Sequence, residues 1–332
     1  MSVLDKKLEG VKSVAILGHV RPDGDCIGSC LGLLDYLEAV CPEVEAVVYL
    51  EDPVPKFKFL QGFEKIHDLS GETWTATDAV PVYDLCVCLD CGDADRLGEG
   101  KKILEAAQSS LCVDHHITNK GYAEDDVVEP DSSSTCEVLY GLFKEEGITR
   151  EVAECLYTGI VHDTGVFKYP CTSPKTMVIA GKLMEKGIDH TKIIDESFFQ
   201  RTYLQNQILG RALFESIAFL DGKCIFSVIR LKDMKFYGVT SKDLDGIVEQ
   251  LRVTEGVECA IFLYETEPHI YKVSLRSSSD LDVAKIAAYF GGGGHVKAAG
   301  CTMSGSIYDV INNLSGHIEK QLKEREAACT TE

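Results

Sequence analysis

Short apolar runs separated by polar segments recur over residues 1 to about 185. The runs are SVAIL (13–17), VEAVVYL (44–50), YDLCVCLD (83–90) and SLCVD (110–114). Nearly continuous apolar runs of this length, bounded by turn residues, predict the buried strands of a parallel sheet. Helical patterns begin near Gly24, occupy 101–107 and return over about 134–186. This alternation predicts an α/β domain with a mainly parallel sheet flanked by helices.

The pattern changes near residue 188. Residues 188–216 are helical in pattern and contain no strand, so we expect them to be a connector. KCIFSVIRL, VECAIFLYE and HIYKVSLRS then predict strands, the last two forming a hairpin around TEP, and DVAKIAAYF predicts a helix that runs into GGGG. We therefore predict an α/β domain over 1–187, a helical connector over 188–216 and a smaller α+β domain over 217–332.

Charge and hydropathy narrow the classes of partner. The 332 residues have a formal net charge of −20, which argues against tight binding of long nucleic acids because their phosphates must be neutralised by many cations. No apolar run approaches the length of a membrane span, and the N-terminus lacks the apolar core of a signal peptide. We therefore expect a cytoplasmic protein without a membrane partner. The net charge still allows a small phosphorylated substrate held by metal ions.

The 14 cysteines allow two interpretations. Most lie inside apolar strand or helix patterns, as small buried hydrophobic residues do. Cys88 and Cys91 form a CxxC, with Cys86 just before them, so a zinc or redox site is the alternative. No second CxxC accompanies it, and Cys86 and Cys88 lie on a predicted buried strand. Buried thiols are therefore the favoured interpretation.

Polar residues crowd the end of the first predicted strand. In GHVRPDGDCIGS, His19, Asp23 and Asp25 lie between that strand and the next helix. Ligands of open α/β sheets bind at the carboxyl ends of strands, and imidazole with carboxylates can hold a hard divalent ion. A capped helix beside an incidental histidine is the alternative.

Three further polar clusters follow other predicted elements. They are Asp90 in CLDCGD, the run Asp114, His115 and His116 in VDHH, and Asp163 in GIVHDTG. Each alone could be a turn residue or cap, which is what we expect of Asp93, Asp95 and His162. Four such clusters at successive element ends favour one shared site.

The motifs HVRPDGDCIGS, CLDCGD, VDHH and GIVHDTG, in this order, resemble those of the DHH phosphoesterases. LRSS and GGGGHVKAAG resemble the DHHA1 domain that accompanies them, and the two-domain layout is most similar to the nanoRNase and pAp phosphatase group. The resemblance implies a two-metal-dependent phosphoesterase, with a catalytic, metal-binding domain over 1–187, a substrate-binding domain over 217–332 and the active-site cleft between the two domains. It would hydrolyse short oligonucleotides to 5′-mononucleotides and remove the 3′-phosphate of adenosine 3′,5′-bisphosphate (pAp).

The resemblance also implies residue roles. One metal would be held by His19, Asp23 and Asp90, and the other by Asp25, Asp90, His115 and Asp163, with Asp90 bridging. Mn²⁺ suits such ligands, although zinc or cobalt would also bind. Asp114 would orient a ligating histidine, and His116 would be a catalytic donor to a phosphoryl oxygen, with a structural histidine as the alternative.

Substrate contacts are implied in the second domain. They are Arg276, Ser277, Ser278, Gly292, Gly293, Gly294 and His295, facing the non-scissile phosphate and sugar. A solvent-facing arginine and a helix cap at Gly291 are the alternatives. The stretch SSSTCEVLY also resembles a family stretch, but Ser134 with Glu137 explains it as a capping box, so we assign it no chemistry.

Two rival functions stay open. The same metals would serve a phosphodiesterase of cyclic or linear dinucleotides. From another class, a noncatalytic nucleotide-binding or RNA-binding module would not need the metal ligands. The expected partners are thus short oligonucleotides, pAp or dinucleotides, with no long nucleic acid, and the sequence allows a homodimer.

Overall fold

The computed structural model describes residues 2–72, 74 and 79–329. It divides into two compact units, Met1–Gln200 and Arg201–Glu332. The division falls inside the segment 188–216, which contains α-helices and a π-helical turn, and the first strand of the second unit begins at Ile217.

The first unit alternates strands and helices. Its strands are β1 (Ser13–Leu17), β2 (Glu45–Leu50), β3 (His67–Asp68), β4 (Leu85–Leu89), β5 (Ser110–Asp114) and β6 (Asp125–Val128). Its helices are α1 (Val3–Lys7), α2 (Gly24–Val40), α3 (Gly100–Ala106), α4 (Thr135–Leu142), α5 (Arg150–Asp163), α6 (Pro174–Glu185) and α7 (His190–Ile194), followed by a π-helical turn at Asp195–Phe199. The predicted α/β domain is confirmed.

The six strands form one parallel sheet in the order β3-β2-β1-β4-β5-β6. The four strands expected from apolar runs are its inner strands. The prediction missed the two edge strands, because HD has no apolar residue and DDVV has only two. The chain leaves β1 toward one edge and returns at β4, so the strand order reverses between β1 and β4. Ligands of such sheets bind at this reversal, beyond the carboxyl ends of the strands.

The second unit is a six-stranded mixed sheet with helices. Its strands are β7 (Ile217–Phe219), β8 (Cys224–Ile229), β9 (Cys259–Glu267), β10 (Ile270–Ser277), β11 (Gly293–His295) and β12 (Ala298–Ser304), in the order β11-β12-β10-β9-β8-β7. Its helices are α8 (Tyr203–Phe214), α9 (Leu231–Tyr237), α10 (Ile247–Arg252), α11 (Val283–Tyr289) and α12 (Ile307–Cys329). The predicted hairpin is β9 with β10, and only β8 and β9 pair in parallel.

The CxxC belongs to the core of the first unit. Cys86, Cys88 and Cys91 are fully buried, and the Cys91 thiol donates to the carbonyl of Asp93 at 3.0 Å. Burial raises the pKa of Cys91 to about 12, so it stays a neutral thiol. No potential metal cluster of the described residues contains Cys88 or Cys91.

Over the same described residues, no helix is both long enough and apolar enough to span a bilayer.

Candidate metal centre

Asp90 stands at the middle of the polar cluster. It follows β4, is buried, and has a φ of 55°, a left-handed conformation that turns its side chain where the strand ends. Its Oδ2 lies 3.6 Å from Nε2 of His19, and its Oδ1 lies 3.7 Å from Nε2 of His115. The two oxygens of one carboxylate therefore face histidines on opposite sides.

His19 and Asp23 form one side of the cluster. The ring of His19 is buried, and its Nδ1 lies 2.9 Å from the carbonyl of Val20, which leaves Nε2 to face the carboxylates. Nε2 lies 3.8 Å from Oδ1 of Asp23. Asp23 also caps α2, because its Oδ1 accepts from the backbone N–H groups of Asp25 and Cys26.

Asp25, His115 and Asp163 form the other side. Nε2 of His115 lies 3.0 Å from Oδ2 of Asp163, the last residue of α5, and 3.9 Å from Oδ2 of Asp25. Nδ1 of His115 lies 3.3 Å from the carbonyl of Ser132, so Nε2 again faces the carboxylates. Asp25 is fully buried in the first turn of α2.

Asp114 bonds His116 rather than the ring of His115. Its Oδ1 lies 2.7 Å from Nδ1 of His116 and accepts the backbone N–H of His115 at 2.9 Å, while Oδ2 accepts from Asn119 at 2.7 Å. The Asp114 carboxylate raises the pKa of His116 although partial burial opposes it. His116 is partly exposed and keeps Nε2 as its second polar atom.

The electrostatics of the cluster fit divalent cations. Burial and then repulsion from Asp90 and Asp163 raise the pKa of Asp25, and burial raises the pKa of Asp163 to about 6. Burial opposes protonation of His19, but Asp23 and Asp90 raise its pKa. Carboxylates crowded in a buried site are costly unless cations neutralise them. Carboxylate oxygens are combined here with Nε2 atoms of imidazoles whose Nδ1 atoms contact backbone carbonyls. A hard or borderline divalent ion binds such a set of ligands.

The structure adds two residues that the sequence did not indicate. Cys26 can offer its thiol to a potential metal cluster with His19 and Asp90. Thr135, the first residue of α4, donates its hydroxyl to Oδ1 of Asp90 at 3.1 Å and its backbone N–H to Oδ2 of Asp25 at 2.6 Å. Thr135 lies in SSSTCEVLY, which resembles a family stretch. The capping interpretation of Ser134 and Glu137 accounts for that stretch without giving Thr135 a role.

The predicted capping box at α4 is only half formed. Oγ of Ser134 accepts the N–H of Glu137 at 3.1 Å. The Glu137 carboxylate does not bond the N–H of Ser134 in return. It accepts instead from the hydroxyls of Ser133 at 2.6 Å and Thr176 at 2.7 Å.

In the second unit, the predicted serines have local partners. Ser277 donates its hydroxyl to the carbonyl of Ser279, and Ser278 donates to that of Val257. Arg276 lies near the end of β10, and its Nε donates to Glu249 at 2.6 Å. A ligand that binds Arg276 through this nitrogen must therefore compete with a carboxylate.

The glycine run forms a turn and a short strand. Gly291 follows α11 and has a φ of 71°, which fits the helix cap given as the alternative for this position. Gly293–His295 is β11, paired with β12. A Cβ on Gly292 would lie 2.2 Å from the carbonyl oxygen of Gly300, and one on Gly294 would lie 2.5 Å from that of Ala298. Close packing on β12 therefore requires glycine at 292 and 294. A Cβ on Gly293 would meet nothing within 4 Å.

A cavity of about 450 Å³ lies beside this run. Gly292 and Gly293 line it, together with Tyr264, Lys272, Ser274 and Thr302 among others. His295 is exposed, and Gly294 and His295 are not among the lining residues. A cation, hydroxyls, an aromatic ring and exposed backbone are the groups that bind a polar ligand with a flat ring.

Comparison with known proteins gives matches over both units. Residues 13–160 match the model of the DHH family, N-terminal domain, and residues 221–324 match that of the DHHA1 domain. The first match contains His19, Asp90 and His115 but ends before Asp163. The second contains Arg276 and the glycine run.

Relatives match nearly the whole chain. The bifunctional oligoribonuclease and PAP phosphatase NrnA of Thermus thermophilus is 30% identical, over 92% of this chain and 87% of its own length. The protein of the same name from Bacillus subtilis is 26% identical, over 93% of this chain and 94% of its own. The crystal structure of an exopolyphosphatase-related protein from Bacteroides fragilis has a TM-score of 0.83 at 24% identity, covering 96% of this chain and 94% of that one. That structure supports the fold.

Proposed function

Because this chain belongs to the DHH family of phosphoesterases, we propose that it hydrolyses short oligonucleotides to 5′-mononucleotides and removes the 3′-phosphate of pAp. The chain is a metal-dependent phosphoesterase. The observation that carries the proposal is the placement of Asp90, whose two oxygens face His19 and His115 at the strand-order reversal of the sheet. Relatives named oligoribonuclease and PAP phosphatase support the choice of substrates.

The cluster would hold two divalent ions, with Mn²⁺ as the preferred metal. His19, Asp23 and Asp90 would bind one, and Asp25, Asp90, His115 and Asp163 the other. Four carboxylates would then balance the four positive charges. When bound, such a pair of ions activates water as a nucleophile and neutralises the oxygens of the phosphoryl group under attack.

His116 would act on the substrate from the edge of this cluster. Its Nδ1 is held by Asp114, so its Nε2–H can point toward a phosphoryl oxygen. The Asp114 carboxylate raises the pKa of His116, which favours a charge-assisted hydrogen bond from the ring to the phosphoryl oxygen. The donor stabilises the charge that develops on the phosphoryl oxygen as the P–O3′ bond breaks.

The second unit would bind the non-scissile 5′-phosphate and the sugar. Arg276 and His295 would contact the phosphate, and Gly293 would offer backbone at the 450 Å³ cavity. Ser277 and Ser278 would shape the end of β10, because their hydroxyls already donate to backbone carbonyls. Both pAp and a 5′-phosphorylated dinucleotide carry a 5′-phosphate and a 3′-phosphoryl group, so one arrangement would serve both.

The test is a Mn²⁺-dependent assay with pAp, a 5′-phosphorylated dinucleotide, a cyclic dinucleotide and a long single strand. We expect turnover of the first two, none after chelation of metal, and none by Asp90→Asn. Preferential turnover of the cyclic dinucleotide would replace the proposal with the cyclic-dinucleotide reaction. A purified protein that binds no metal and turns over none of the four would indicate a noncatalytic binding module.

A further inference from the structure

The first turn of α4 touches two proposed metal ligands at once. The N–H of Thr135 donates to Oδ2 of Asp25 at 2.6 Å, and the N–H of Cys136 donates to Oδ1 of the same carboxylate at 3.0 Å. The hydroxyl of Thr135 donates to Oδ1 of Asp90 at 3.1 Å. One residue thus fixes the carboxylates of both Asp25, from α2, and Asp90, from the end of β4.

These contacts lie where hydrogen bonds have a large effect. Asp25 and Thr135 are fully buried, and Asp90 is buried as well. In such surroundings a donor to a carboxylate is worth more than in water, and a carboxylate left without its donor is costly. The first N–H groups of a helix have no partner within the helix, so α4 can supply donors to Asp25 without losing bonds of its own.

The bonds from Thr135 leave lone pairs of both carboxylates free to bind metal ions. Each carboxylate oxygen has two lone pairs, and Thr135 uses one on Asp25 and one on Asp90. The remaining lone pairs of Asp90 include both on Oδ2, which faces His19. Fixing Oδ1 against α4 therefore sets the rotation of the carboxylate that presents Oδ2 to the other side of the cluster.

The start of α4 is itself held in place. The buried carboxylate of Glu137 accepts from the hydroxyls of Ser133 and Thr176, and Lys175 lies 3.4 Å from its second oxygen. These contacts tie the segment that precedes Thr135 to the beginning of α6. The hydroxyl of Thr135 is therefore held in a fixed position, from which it can orient the carboxylate of Asp90.

We infer that Thr135 is the positioning residue of the metal centre, and that its hydroxyl orients Asp90 so that the carboxylate can serve both sides. The inference rests on the proposed function, since it assumes that Asp90 binds metal. Thr135 itself touches neither substrate nor the reacting atoms in this role. Groups that bond metal ligands from behind typically change metal affinity or activity ~10–100-fold when they are removed.

Thr135→Val and Thr135→Ser separate this role from packing. Valine keeps the branched shape and the backbone N–H to Asp25 but removes the donor to Asp90, whereas serine keeps the hydroxyl. Thr158→Val is the matched control, because Thr158 is also fully buried and its hydroxyl donates only within its own helix, to the carbonyl of Glu154 at 2.7 Å. Thermal unfolding of the metal-free proteins would verify that each variant folds.

The measurement is Mn²⁺ affinity by calorimetry without substrate, followed by kcat and KM for pAp at saturating Mn²⁺. Thr135→Val should weaken Mn²⁺ binding ~10–100-fold and lower kcat with little change in KM, while Thr135→Ser and Thr158→Val stay close to wild type. Wild-type affinity in Thr135→Val, or equal weakening in Thr135→Ser, would overturn the inference alone. A wild-type protein that binds no Mn²⁺ would overturn the proposed function and this inference together.

Discussion

Asp35 is a buried carboxyl group, away from the proposed metal ligands, that we expect to make the stability of the first unit depend on pH. It lies in α2, is 5% exposed, and accepts only a weak bond on Oδ2, from the thiol of Cys155 at 3.7 Å. Its Oδ1 is buried without a hydrogen-bond partner among the described residues. Burial, and then the negative charge of Glu38, raises the pKa of Asp35 from 3.8 to about 7.

The direction of the pH effect depends on whether the folded or the unfolded chain keeps the proton of Asp35. Between about pH 4 and pH 7, the unfolded chain has released this proton while the folded chain keeps it, so raising the pH favours unfolding. A pKa difference of roughly three units corresponds to roughly 4 kcal/mol. Asp35 should therefore cost the folded state little below pH 4, progressively more toward pH 7, and the full amount above it.

Asp35→Asn tests this directly, because asparagine mimics the protonated carboxyl in size and lack of charge. The assay is urea unfolding of metal-free wild type and variant from pH 4.5 to 8, with the difference in unfolding free energy plotted against pH. Titrating groups that do not interact with Asp35 cancel in that difference. We expect the variant to gain on wild type by up to ~4 kcal/mol as the pH rises. Asp131→Asn, the same substitution at an exposed carboxyl, is the matched control. A flat difference for Asp35→Asn would refute the reasoning.

Three further predictions concern activity. Asp90→Ala should abolish turnover. It should also lower bound Mn²⁺, measured by mass spectrometry, more than Asp23→Ala does, because Asp90 rather than Asp23 faces both sides of the cluster. Equal metal losses in the two variants would contradict the bridging role of Asp90. Arg276→Ala and His295→Ala should retain metal and lose about tenfold or more in kcat/KM on 5′-phosphorylated substrates, with smaller losses on a substrate without that phosphate. Equal losses on both would remove the phosphate contact. Over an oligonucleotide series at fixed salt, kcat/KM should fall with length, and a steady rise would argue for a groove that tracks the strand.

The sequence predicted the fold best where a single local segment determines the secondary structure. Continuous apolar runs identified the four inner strands of the first sheet, and the hairpin of β9 and β10 followed from two runs joined by TEP. The edge strands β3 and β6 were missed because strand pairing at an edge, rather than apolar content, defines them. Polar residues at strand ends indicated the position of the candidate site, because parallel strands bring their carboxyl ends to one side of the sheet.

Contacts between residues far apart in the chain could not be predicted from the sequence. Thr135 meets Asp25 across 110 positions and Asp90 across 45, so no local pattern reveals either bond. The N-cap interpretation of its neighbour Ser134 was right, yet it explained only one of the donors in that turn. The pairing of Arg276 with Glu249 is similarly nonlocal. Burial decides these cases, because a buried donor or acceptor must find whichever partner the fold brings to it.

The charge of −20 is unevenly spread, and its distribution bears on the size of substrate. Nearly all of the excess acid lies in residues 1–200, whereas residues 201–332 are close to neutral. The four carboxylates of the proposed metal centre account for only a small part of that excess, so bound ions would leave the first unit strongly acidic. Phosphates beyond those at the metals would be repelled by this unit and gain little from the other. Binding energy would then come from the first one or two nucleotides, which is why lengthening the strand should not help.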